Sequence, residues 1–184
     1  VHTIRMKSDD RLCLFTKEGN MFQIKASAIP RCRIRDKGTL IHNLCKVDKE
    51  TILIYLSFEE LFESQLLFVT KTGLIKLVSG IEFETNRSSV ASAKLDSDDA
   101  IVSIVPLSAA QITAGELKVI LLTRAGLSLG FPIGEVPEAK KTGRGVKGIV
   151  LEASDTVEFS TVVPTAAETF EMDGKFYSAK NTLH

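Results

Sequence analysis

Leu12-Cys13-Leu14-Phe15-Thr16-Lys17-Glu18-Gly19 is an apolar run that ends in a Thr-basic-x-Gly turn. The same arrangement returns as Leu66-Leu67-Phe68-Val69-Thr70-Lys71-Thr72-Gly73 and again as Val119-Ile120-Leu121-Leu122-Thr123-Arg124-Ala125-Gly126. Each copy is followed by a second, largely apolar run. The period is about 50 residues, which is the mark of a propeller or another repeat array. Four residues between two extended runs favour a hairpin built on a type I turn that hands over to a residue with positive φ. Gly19, Gly73 and Gly126 stand at that residue, where only glycine avoids a steric penalty. The basic tip residues Lys17, Lys71 and Arg124 are solvated and read first as solubility.

Working outward, each repeat contains about four short strands, the content of a propeller blade. In the first, Leu12–Thr16 and Met21–Lys25 make the hairpin. Leu40–Leu44 and Ile52–Tyr55 read as further strands around a polar turn at Asp48-Lys49-Glu50. Residues 56–65 are a connector with room for a short helical turn. The second repeat has hairpin 66–77, strand Val90–Leu95, turn Asp96–Asp99 and strand Ile101–Val105. The third has hairpin 119–131, strand Val146–Leu151, turn Ser154-Asp155 and strand Val157–Val163. Ile29, Phe83 and Val136 each lie ten residues after their turn glycine, as anchors. A fourth, partial copy turns at Asp173-Gly174 between Thr169–Met172 and Lys175–Ala179. No helical periodicity of ten or more residues is evident. The expected fold is an all-β, propeller-like array of four-stranded blades, about three complete and one partial. A single segment, 1–184, would hold repeats near 11–56, 65–105, 118–163 and 168–184.

The composition is that of a globular domain, 44% hydrophobic and 25% charged. No apolar run approaches the roughly 18 residues of a membrane span, so no membrane partner is expected. The chain starts without methionine or a leader pattern, and a segment of a longer protein is expected. Cys13, Cys32 and Cys45 form no metal-ligand spacing or disulfide framework, which favours a reducing, cytoplasmic location. Cys13, inside a strand, reads as a small hydrophobe.

Catalytic chemistry is not legible. His2, His42 and His184 are scattered, and His42 falls in an expected strand. No nucleophile elbow occurs. The glycine-rich stretch Gly143–Gly148 precedes a strand, so it lacks the helix N-terminus that phosphate loops use. Asp96, Asp98 and Asp99 lack the spacing of a calcium loop and read as a solvated turn. No cofactor and no metal are expected in this segment.

The charge is balanced, 23 basic against 23 acidic residues, but it is segregated. Residues 31–46, 84–94 and 138–148 are predominantly basic and occupy the same place in each repeat. Lys37-Gly38 and Arg144-Gly145 are equivalent. Basic loops on successive blades would form a curved stripe suited to a bent phosphate backbone, held without reading sequence.

In this combination the chain resembles the C-terminal domain of the A subunit of bacterial type II topoisomerases, DNA gyrase and topoisomerase IV. The matching residues are the Thr-Lys-x-Gly hairpins, Ile29-Pro30 with Lys37-Gly38, Phe83–Ser89, and Glu135-Val136 with Lys141–Ile149, Leu151 and Asp155. The resemblance spans about residues 10–160. It implies a β-pinwheel whose blades exchange strands, and sequence-independent binding and bending of duplex DNA on the basic rim. It implies two partners, an A-subunit catalytic core and an ATPase B subunit, with ATP and magnesium used elsewhere in the intact isomerase. The family's blade-loop basic residues correspond to Lys37, Arg87, Arg144 and Lys147. Charge clustering adds Arg31, Arg33, Arg35, Lys94, Lys140 and Lys141. Gyrase A subunits also carry a Gln-Arg-Arg-Gly-Gly-Arg-Gly box, which this chain lacks. That departure points to topoisomerase IV, or to a gyrase segment without the box-bearing blade. The alternative function is a non-enzymatic protein-interaction propeller.

Overall fold

The structure is a computed structural model that describes residues 3–47 and 50–179. In chain order the first repeat comprises β1 (Arg11–Thr16), β2 (Asn20–Lys25) and β3 (Ile52–Ser57), and α1 (Phe58–Glu63) leads out of it. Then come β4 (Ser64–Thr70), β5 (Leu74–Ser79), β6 (Ser89–Ala91), β7 (Ile101–Ser108) and α2 (Ala109–Ala114). The third repeat holds β8 (Leu117–Thr123), β9 (Ser128–Pro132), β10 (Val146–Lys147) and β11 (Val157–Pro164), and a last hairpin joins β12 (Thr169–Met172) to β13 (Lys175–Ser178).

The recurring turn has one chemistry throughout. The N–H groups of Gly19, Gly73 and Gly126 donate to the carbonyls of Thr16, Thr70 and Thr123 at 3.1, 2.9 and 2.9 Å. The glycine φ angles are 84°, 83° and 87°. The threonine has its own role. Its buried hydroxyl accepts from the N–H of the residue after the glycine, at 3.2 Å in all three turns. A buried hydroxyl needs such a partner, and a strand N–H displaced by the bulge needs an acceptor.

Each hairpin gains a third, antiparallel strand on its first member: β3 on β1, β7 on β4 and β11 on β8. The outer strand comes from the following repeat. β6 pairs with β2 through Met21↔Val90, and β10 pairs with β5 through Val146↔Ile75. The sheets therefore read β3-β1-β2-β6, β10-β5-β4-β7, β11-β8-β9 and β12-β13. This is the strand exchange of a pinwheel. The third strands form the inner side, with β7 packed against both β3 and β11.

The sheets stack face to face, which explains why the first strand of each hairpin carries four consecutive apolar residues rather than an alternating pattern. On β4, Leu66 and Phe68 enter the core shared with the first sheet, whereas Leu67 and Val69 enter the core shared with the third. On β8, Val119 and Leu121 face back while Ile120 faces the last hairpin. Phe15, Phe68 and Phe83 fill the first inter-sheet core, with Phe15 and Phe83 edge to face at 5.1 Å. The expected anchors Phe83 and Val136 are buried. Cys13 sits in this core, and burial pushes its thiol up to about 12.

Several expectations are corrected. Leu40–Leu44 is not a strand: Ile41–Asn43 makes a 3-10 turn, and His42 lies in it. The reason is the missing partner. β6 and β10 exist because β2 and β5 offer them an edge, and among the described residues no edge faces residues 40–44. The strands expected at Val90–Leu95 and Val146–Leu151 shrink to Ser89–Ala91 and Val146–Lys147, since pairing extends only over that length. The turn expected at Asp48-Lys49 lies outside the described residues, as do His2 and His184. The helical turn in connector 56–65 is α1, capped by Ser57, whose hydroxyl accepts from Glu60 N–H. Its counterpart α2 is not among the expected elements, although Ser108 and Gln111 form a reciprocal capping box visible in the sequence.

Candidate nucleic-acid interface

Three basic segments lie outside the strands, and strand exchange delivers the second and third of them to the edge of the preceding sheet. A loop that must carry the chain from one repeat's hairpin to the outer edge of the preceding sheet is left on the rim.

The first segment is fully solvated. All of residues 31–40 are exposed, including Arg31, Arg33, Arg35 and Lys37. Asp36 accepts the Arg33 N–H at 2.6 Å and folds the loop tip, where Ile34 stands wholly in solvent. Gly38 has positive φ and open space around it, whereas at its counterpart Gly145 an added Cβ would lie 2.6 Å from the Ile75 carbonyl oxygen.

The second segment is pinned to the first sheet. The Arg11 guanidinium lies 3.9 Å over the Phe58 ring and donates to the Thr85 carbonyl at 2.8 Å. Gln23 donates its amide to the same carbonyl at 2.9 Å and also to the Arg87 carbonyl. With its backbone held, Arg87 projects an exposed side chain, and Lys94 is exposed beyond β6.

The third segment is pinned to the second sheet by Lys76. This residue is 4% exposed, and its ammonium donates to the carbonyls of Lys141 and Gly143 at 2.6 and 2.9 Å. Burial lowers it to about 8, because removal from water disfavours the charged form. The Leu77 N–H donates to the Pro137 carbonyl at 3.0 Å, and the Ala139 N–H to the Leu77 carbonyl at 2.8 Å. Above this base Lys140, Arg144 and Lys147 are exposed. Lys141 is half-buried and spends its ammonium on the Glu82 carbonyl at 2.7 Å. Arg144 pairs with Asp96 of the preceding repeat, and Arg144 and Lys94 border one shallow cleft.

Nine of the ten basic residues singled out in the sequence are thus exposed on the rim, and Lys141 is turned inward. The pinning residues Arg11, Gln23 and Lys76 were missed. Lys76 had a signal: it is a lysine between Leu74-Ile75 and Leu77-Val78 in a strand buried on both faces. In the acidic turn Asp99 accepts from the Thr72 N–H at 3.0 Å and from the Ala100 N–H at 2.9 Å.

A family model described as the DNA gyrase C-terminal domain, beta-propeller, matches residues 10–39, 64–108 and 117–164, well over half of the chain. The DNA gyrase A protein of Clostridium acetobutylicum is 34% identical over 142 residues, a match covering 76% of this chain and 16% of that protein. The chain therefore spans a small fraction of the curated relatives it matches. Among solved structures, the C-terminal domain of DNA topoisomerase IV superposes with a TM-score of 0.78 at 26% identity, over 89% of this chain and 50% of that one. The E. coli ParC C-terminal domain shares the fold, with a TM-score of 0.72 at 18% identity over 95% of this chain and 70% of that one.

Proposed function

Because the chain belongs to the DNA gyrase C-terminal domain family of β-propellers, we propose that it binds duplex DNA on its rim and bends it. The observation that supports this most is the delivery of two basic loops, 84–94 and 138–148, to the outer edges of successive sheets by one device, strand exchange. Lys37, Arg87, Arg144 and Lys147, with Arg31, Arg33, Arg35, Lys94 and Lys140, would neutralise phosphates along a curved path. Contacts of this kind carry no base readout, so binding is sequence-independent. Lys141 serves the loop's shape.

The chain acts as the guiding part of an ATP-dependent type II topoisomerase in the cytoplasm. It hands duplex segments to the A-subunit catalytic core, while DNA cleavage and the B subunit's ATP and magnesium chemistry lie outside it. Titration against duplex DNA at several salt concentrations tests the reading. The logarithm of affinity should fall with the logarithm of salt by about 0.9 per phosphate neutralised. No binding at low salt would overturn it.

A further inference from the structure

A cavity of about 490 Å³ opens on the inner side, where three successive sheets meet. Its lining includes Lys17, Lys71 and Arg124, the tip residues of the three recurring turns. Residues about 50 positions apart in sequence thus present three cations to one concavity.

The backbone fixes them there. The N–H groups of Lys17, Lys71 and Arg124 donate within their own sheets to the carbonyls of Thr51, Ala100 and Thr156, at 2.7, 2.8 and 2.8 Å. Two of their carbonyls reach the next sheet: the Lys17 carbonyl accepts from Ile101 N–H at 2.8 Å and the Lys71 carbonyl from Val157 N–H at 2.9 Å. The tips are therefore rungs between blades and cannot move apart without breaking them.

The carboxylates nearby are mostly committed to backbone. Glu18 accepts from Thr51 N–H, Asp99 from Thr72 N–H and Asp155 from Ala125 N–H, each at 3.0 Å. Among the described residues Glu158 is the one carboxylate in the lining, 3.9 Å from Arg124. Three like charges held around a concavity repel one another, and a multivalent anion relieves that repulsion. Guanidinium and ammonium groups are the side chains that suit phosphate oxygens.

We propose that this cavity is a binding site for an oligophosphate chain, either free or carried by a nucleotide. Its volume falls in the range of small-ligand sites. It lies on the inner side, away from the duplex-binding rim, and does not depend on that reading.

Backbone amide chemical shifts and calorimetry on the 184-residue chain, with inorganic tripolyphosphate as probe, test the site. Shifts should appear at Glu18, Thr72 and Ala125. Lys17→Gln, Lys71→Gln and Arg124→Gln together should weaken binding at least tenfold, whereas Lys140→Gln with Arg144→Gln should leave it unchanged. A nucleoside triphosphate binding more tightly than tripolyphosphate assigns the nucleotide form, and equal affinities assign the phosphate chain alone. Shifts confined to residues 31–46, 84–94 and 138–148, or binding indifferent to the triple substitution, overturn the proposal. Failure of the duplex titration with tripolyphosphate binding intact would count against the rim alone.

Discussion

The ammonium of Lys76 lies 2.6 Å from the carbonyl oxygen of Lys141. The two residues belong to different repeats, so a buried cation on one sheet sets the shape of the basic loop that the next repeat sends to its edge.

Replacing Lys76 by methionine separates loop order from fold stability. The carbonyls of Lys141 and Gly143 lose their shared donor, but the core no longer holds a buried charge, and the two effects offset to within about 1 kcal/mol. Hydrogen exchange at the Gly143 amide, which donates to the Lys140 carbonyl at 2.8 Å, should speed at least tenfold while the urea midpoint barely moves. Unchanged protection at Gly143 would show that Lys76 does not order the loop.

Lys76 also predicts a pH dependence. Its folded-state value of about 8 lies below the ordinary 10.5, so between these values the unfolded chain keeps a proton that the folded chain has lost. Stability should rise with pH across that window and carry its full penalty below it, at most on the order of 3 kcal/mol. Urea unfolding from pH 7 to pH 10, compared with Lys76→Met, isolates the contribution, and parallel profiles would refute it.

Asp96 restrains Arg144 through an exposed ion pair. Such pairs are worth about 0.2–1 kcal/mol. Asp96→Asn should therefore tighten duplex binding by roughly twofold to fivefold and steepen the salt dependence, with little change in melting temperature. Weaker binding would mean that the pair itself presents Arg144 to DNA.

Two turn glycines with nearly the same backbone should respond differently to alanine. Gly126 has open space, so Gly126→Ala meets only the left-handed backbone, about 1–2 kcal/mol. An added Cβ at Gly73 lies 2.8 Å from Ile149 Cγ2 and 3.2 Å from the Ile149 carbonyl oxygen. Gly73→Ala should cost about 1–3 kcal/mol more. Equal urea midpoints for the two variants would show that Ile149 yields freely.

How much of this was legible depends on how far apart the deciding atoms lie in sequence. The turn at Thr16–Gly19 was readable because its bonds close within four residues. The extent of β6 and β10 was not readable. Their pairing is set by the edges of β2 and β5, which belong to other repeats, and Leu40–Leu44 has strand-like residues yet finds no edge among the described residues. The pinning of the loops by Arg11, Gln23 and Lys76 was hidden for the same reason, although a lysine inside a doubly buried strand is itself a signal in the sequence.

The sequence by itself determined the repeat, the hairpin turn that marks it, the all-β class and the basic loops, because each rests on short-range turn chemistry and side-chain patterning. Only the tertiary structure decided that Lys141 turns inward, that Arg144 is held by Asp96, and that Lys17, Lys71 and Arg124 share a cavity. Those outcomes depend on which sheet stands beside which, and hydrogen bonds between repeats about 50 residues apart fix that.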